Sequence, residues 1–366
     1  MSVFNTRPAL RWLVPTGTAV AIVAGGAAIG TFASAAEPSL PERSAAQLLV
    51  DLQTARLDGL SGTVIKRADL GLPSLPGIGG RGNADLASLV SGTHTLRVWY
   101  AGPDQTRVAL LGTLGETDVI RNGQDVWVWD SQQNQATHST LSDPGDRHRP
   151  DVAHLPATPQ EAAEQALAAI DPSTRVSVGR STSVAGRDAY ELVLTPRDAT
   201  SLVGQVKIAI DAAEHVPLRF QVVPQGTRQP AFEVAFTHVD FDRPDPAQFT
   251  FNPPPGTTVT EEQVDPSRKP DVPEHAERPK AVGTGWTTVL VGRLPDAADL
   301  TRSAPGGAEG AGLTGLLEAF PKVSGAWGSG RVLTSKLFTV LLTDDGRVLA
   351  GAVTPERLYD VAQNGR

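Results

Sequence analysis

Four stretches in the second half of the chain alternate apolar and polar residues with a period of two: RDAYELVL, QVKIAI, LRFQVV and AFEVAFTHVDF. In them Tyr190, Leu192 and Leu194 share one side, as do Val206, Ile208 and Ile210, and Leu218, Phe220 and Val222. Side chains of a strand point alternately to its two faces, so this pattern specifies antiparallel strands with one mainly apolar face. No helical pattern regularly separates the strands, which excludes a doubly wound α/β fold. Glu191, Lys207 and Arg219 fall on the opposite side and read as solvated positions.

The same logic applies further upstream. In THTLRVWY, Leu96, Val98 and Tyr100 share one face and Arg97 and Trp99 the other. An AGPDQ turn leads to TRVALLG, and NGQ precedes DVWVWD, where Val126 and Val128 oppose Trp127 and Trp129. Both faces of that last strand are apolar, so each is expected to be covered. Helices are expected over Arg43–Arg56, from the apolar spacing of Ala45, Leu48, Leu49 and Leu52, and from Pro159, behind a Thr158 cap. The prolines of FTFNPPPGTTV exclude a central strand there.

At the front, Arg7 and Arg11 precede an uncharged stretch, Trp12–Ala36, with small residues at Ala33, Ala35 and Ala36. A basic start, an apolar middle and small residues form an export signal, and the stretch is also long enough to cross a bilayer as a retained helix. Both alternatives place the body outside the cytoplasm, in the cell envelope. Without residues 1–36 the body carries 30 basic against 40 acidic groups, which disfavours nucleic acid as a partner. There is no cysteine, hence no disulfide, thiolate site or acylated cysteine anchor.

The expected organisation is a signal or anchor at 1–36, a main sheet domain at 37–260, a polar linker or strap at 261–282 and a small α+β region at 283–366. In the last region Arg331–Leu342 and Arg347–Val353 flank TDDG as a hairpin, and Thr354-Pro355-Glu356 starts a final helix packed through Leu358, Val361 and Ala362.

Taken together, LRVWYAGPDQTRV, IRNGQDVWVWDSQQNQATH, AGRDAYELVLTPRD, IDAAEHVPLRFQV and FTHVDFDRPDPAQFTFNPPPG resemble the bacterial outer-membrane lipoprotein carrier superfamily over roughly 44–259. The resemblance is to exported actinobacterial members and to the related domain of a periplasmic regulator of anti-sigma-factor cleavage. It implies a mainly β, α+β fold: a strongly curved antiparallel sheet, an unclosed half-barrel covered by helices around an apolar cavity. The function it implies is non-enzymatic binding of a lipid acyl chain or a lipid-modified protein. The alternative is an envelope sensor that binds an anti-sigma factor or another membrane protein.

Candidate cavity residues are Leu96, Val98, Trp99, Tyr100, Trp127, Trp129, Tyr190, Leu192, Phe220 and Phe236; Leu70, Leu72, Leu75 and Ile78, in a Gly/Pro-rich loop, are candidates to cover its entrance. Each also reads as ordinary core or as a flap packed on it. His148 and His154 lie near Asp146 and Asp151 without metal-ligand spacing, so neither a metal nor another cofactor is expected. No nucleophile-elbow or dinucleotide-binding signature marks an enzyme.

Overall fold

The computed structural model describes residues 38–72, 91–141, 172–264, 279–293 and 320–365. They begin with helix α1 (Ala45–Thr54), two residues shorter at each end than expected. Ser44 caps it: its hydroxyl accepts from the Gln47 amide while the Gln47 side chain accepts from the Ser44 amide at 2.8 Å. Reciprocal bonds of this kind satisfy two of the otherwise unpaired amides of a first helical turn. Leu48 and Leu49 form its buried side.

Thirteen strands build the main sheet: β1 (Leu60–Ala68), β2 (Gly92–Tyr100), β3 (Gln105–Leu111), β4 (Glu116–Asn122), β5 (Asp125–Asp130), β6 (Gln135–Leu141), β7 (Thr174–Val178), β8 (Thr182–Val184), β9 (Arg187–Pro196), β10 (Val203–Asp211), β11 (Pro217–Pro224), β12 (Phe232–Asp240) and β13 (Thr258–Val264). Their order is β13-β6-β5-β4-β3-β2-β1-β12-β11-β10-β9-β7, with β8 also on β9. All pairs are antiparallel except β13 with β6. The AGPDQ and NGQ turns form where expected, with Gly102 (φ +107°) and Gly123 (φ +65°) in the left-handed region that a Cβ disfavours.

The strongly curved half-barrel is not what forms. The sheet is mixed, and it is neither closed nor strongly curled. Closure requires the two edge strands to meet with the right tilt and stagger. Here β13 adds parallel to β6 at one end and β7 adds to β9 at the other, so each edge strand has a partner on one side only. The expected helical lid is represented among the described residues by α1 alone; the helix from Pro159 lies outside them.

A second, six-stranded antiparallel sheet contains β14 (Lys280–Val282), β15 (Val289–Arg293), β16 (Lys322–Gly325), β17 (Gly328–Thr334), β18 (Thr339–Thr343) and β19 (Arg347–Gly351), in the order β14-β15-β19-β18-β17-β16. The TDDG hairpin joins β18 to β19, but Arg331–Leu342 is two strands rather than one. Ser335 breaks it, its hydroxyl accepting from the amides of Leu337 and Phe338. Helix α2 (Pro355–Asn364) packs Leu358, Val361 and Ala362 into the core with Val289, Leu341 and Leu349. Thr354 stands at its N-cap position, yet its side chain makes no capping bond.

The two sheets are stitched by backbone bonds from Leu202 N to Ala352 O (2.9 Å) and from Thr354 N to Thr200 O (3.0 Å). Trp286 Nε1 donates to Thr174 Oγ1 at 2.8 Å.

The transmembrane helix expected at 12–36 has no counterpart among the described residues, where no helix is long and apolar enough to cross a membrane. Residues 12–36 themselves lie outside them.

Candidate binding site

Register across the sheet sorts the candidate residues onto two faces. On the first, Leu96 pairs with Leu110 and Val98 with Val108. Leu96 and Val98 are 2% and 0% exposed, and Val98 packs in one cluster with Val64, Val234 and Phe236, with Tyr100 at its margin. Tyr190 and Leu192 belong to a second cluster with Leu48 and Leu49 of α1, and Phe220 packs against it. Tyr190 is fixed there by its hydroxyl, which donates to the Pro41 carbonyl at 3.0 Å. Helix α1 therefore covers the β9–β10 end of the sheet.

The tryptophans face the other way. Trp99 stands opposite Arg107, Ile120 opposite Trp127, and Asp118 opposite Trp129. The Arg107 guanidinium lies 5.1 Å from the centre of the Trp99 ring and pairs with Asp118, whose side chain is fully buried. Burial raises the Asp118 pKa, and the attraction of Arg107 opposes that rise without cancelling it. A short 3-10 turn, Pro246–Phe249, crosses this face: the Gln248 carbonyl accepts from Arg107, and Phe249 is buried. Phe251 then sits 5.2 Å from Trp127 and 5.8 Å from Trp129, ring centre to ring centre. On the opposite side of β5, Val128 remains 37% exposed, so the expectation that both faces are covered fails at that residue.

The sequence candidates thus fall into three groups rather than one: Val98 and Phe236 with Tyr100; Tyr190, Leu192 and Phe220 beneath α1; and the tryptophans on the far face. Leu96 sits apart with Leu110. Leu70 and Leu72 are half-buried, and the Leu70 carbonyl accepts from the Lys336 amide at 2.8 Å while Asp69 pairs with the Lys336 ammonium. Leu75 and Ile78 lie outside the described residues.

Two features escaped the sequence reading. Glu191, assigned to solvent, has a side chain only 13% exposed and bridges Lys207 (3.4 Å) and Arg219 (3.3 Å). Lys66 is 6% exposed, on the face shared with Val64 and Ala68. Its signal was present in TVIKRA, where parity puts Lys66 with the buried Val64 and Arg67 on the other side. Among the described residues no group of three His, Cys, Asp or Glu side chains is placed to hold a metal.

Residues 89–266, β2 through β13, match the family model of the MucB/RseB N-terminal domain. The match covers just under half of the chain, and it is that segment which is similar to this domain. No curated protein matches the chain. Among solved structures it is similar to the MucA/MucB complex of Pseudomonas aeruginosa, at 16% identity and TM-score 0.42, covering 87% of this chain and 96% of that one. It is also similar to an uncharacterized conserved protein of Thermus thermophilus (14%, TM-score 0.34, 59% and 98% covered). A LolA superfamily protein of Nitrosomonas europaea gives 13% and a TM-score of 0.22, with 57% and 99% covered.

Proposed function

We propose that this chain is a non-enzymatic binding protein of the bacterial cell envelope that engages an anti-sigma-factor-like membrane protein. The observation that carries the reading is the family match over residues 89–266. It favours the regulatory alternative over lipid carriage, and it makes the periplasmic side of the cytoplasmic membrane the working location. The finer likeness to exported actinobacterial members belongs to this proposal as well.

Acyl-chain binding stands second. Val98, Leu192 and Phe236 pack against protein neighbours, which accounts for their apolar character without a ligand. The proposed domain division, with the sheet domain at 37–260 and a smaller region from 283, places partner binding in the first of these.

Photo-crosslinking in intact cells tests the reading. A crosslinkable residue placed in the full chain at Val128 or Val178, 37% and 39% exposed on the main sheet, should repeatedly capture one membrane-spanning protein. Mass spectrometry should show that it carries a cytoplasmic sigma-factor-binding segment. If both positions yield only lipid or abundant soluble proteins, the regulatory reading is wrong.

A further inference from the structure

Among the described residues β13 is the longest strand at any edge of the two sheets. It runs for seven residues, Thr258–Val264, whereas β7, β8, β14 and β16 have five, three, three and four. Its register with β6 is continuous from Thr258 opposite Gln135 to Val264 opposite Leu141, with no bulge. Thr258, Val259, Thr260, Glu261 and Glu262 are all exposed.

One hydrogen bond fixes which backbone groups point outward. The Thr258 amide donates to the Asn134 carbonyl at 3.0 Å, so Thr258 turns its backbone toward β6. Successive residues of a strand turn theirs to opposite sides. Val259, Glu261 and Gln263 therefore present N–H and C=O groups away from β6. Folded proteins blunt such edges with short strands, bulges, proline or lysine, and TVTEEQV has none of these.

Charge discriminates among the strands that could add there. Two copies paired antiparallel in full register would set Glu261 against Glu261, and like charges directly opposite are destabilising. The Glu261 carboxylate is moreover bonded to the His138 ring. Glu262 lies on the opposite face, next to Ser139, and is exposed. On the Glu261 face, Val259 continues an apolar row that runs from Trp129 through Ala136.

We propose that β13 accepts an extended segment of the partner protein as an added strand, one in which apolar and basic side chains alternate. The apolar set lies on the face of Val259 and Trp129, the basic set on the face of Glu262. Outward N–H and C=O groups supply affinity, and the alternation supplies selection. The inference rests on the partner reading and adds to it the surface used and the chemistry of the segment bound.

Fluorescence anisotropy of a labelled peptide of alternating lysine and valine tests it on the full chain at pH 7. The peptide should bind the wild type, and bind Glu262→Lys roughly fivefold more weakly, as an attractive cross-strand pair becomes a repulsive one. Val259→Pro should weaken binding roughly tenfold by removing an outward donor. That substitution leaves every charge in place and, pointing away from β6, keeps the ladder between the two strands. A peptide with proline in place of valine, equal in charge, should not bind. In the wild type, amide exchange at Val259, Glu261 and Gln263 should slow when the lysine–valine peptide is added, a readout that needs no variant. The proposal is overturned by no binding, by equal binding to Glu262→Lys or Val259→Pro, by equal binding of the proline peptide, or by unchanged exchange at those amides. None of these results touches the partner reading itself, which the crosslinks at Val128 and Val178 decide.

Discussion

His138 lies flat against Trp127, with ring centroids 4.2 Å apart and planes 18° from parallel. In that position its two ring nitrogens reach Glu261 (2.7 Å) and Asp125 (3.0 Å). Glu261 belongs to β13, so one imidazole ties the sheet's parallel edge strand to the stacked aromatic face.

This arrangement makes the β13 edge sensitive to pH. Burial lowers the His138 pKa, but the bonds and charges of Glu261 and Asp125 outweigh it and raise the value overall. A histidine with a raised folded pKa gives its full stabilisation below the unfolded value of about 6.5 and loses it as pH rises through the folded value. Amides of Thr258–Val264 should therefore exchange faster at pH 8 than at pH 6, after correction for intrinsic rates. The difference should vanish in His138→Gln; an equal difference in that variant would remove His138 from the account.

The Arg107–Asp118 pair should be costly to break from the arginine side. In Arg107→Leu the buried Asp118 carboxylate loses the one cation it pairs with among the described residues, and single-sided disruption of a buried pair costs about 3–5 kcal/mol. The loss should appear in urea unfolding at pH 7. It should shrink toward pH 4, because a carboxyl whose pKa is raised by folding destabilises the fold as pH rises through that range.

Lys66→Met should stabilise the protein at pH 7. Replacing a desolvated, unpaired ammonium with an apolar side chain of similar length removes a penalty of about 2 kcal/mol. In the wild type the folded pKa is depressed, so stability should rise with pH between about 8 and the ordinary lysine value, whereas the variant's profile should be flat there. A less stable variant would contradict this.

Leu48→Ala should cost about 3 kcal/mol, since Leu48 is fully buried where α1 meets the strands carrying Leu192 and Ile208. Ser44→Ala, which removes only the cap, should cost about 1 kcal/mol. Chemical denaturation of the two variants gives the ratio directly.

The strands that could be read ahead of the structure were those that segregate apolar from polar residues, such as β9, β10 and β11. Those that escaped do not. In β4, Asp118 and Ile120 share one face and Thr117 and Val119 the other. In β6, QATHSTL has little apolar content of its own, and its partners on both sides determine its conformation. The candidate site was legible to the same extent. Alternation placed Leu96 with Val98 and Trp127 with Trp129, and it could have placed Lys66 with Val64. It could not bring Phe251, more than 120 residues away, onto the tryptophans.

The sequence by itself determined the local alternation, the turns at Gly102 and Gly123 and the capped start of α1, because each depends on neighbouring residues and their backbone preferences. Only the tertiary structure decided that the sheet stays open, that β13 joins β6 in parallel, and that Lys66 is enclosed with no counter-charge among the described residues. Those depend on which distant strands exchange hydrogen bonds, and a period of two along the chain is the same whichever strand lies alongside.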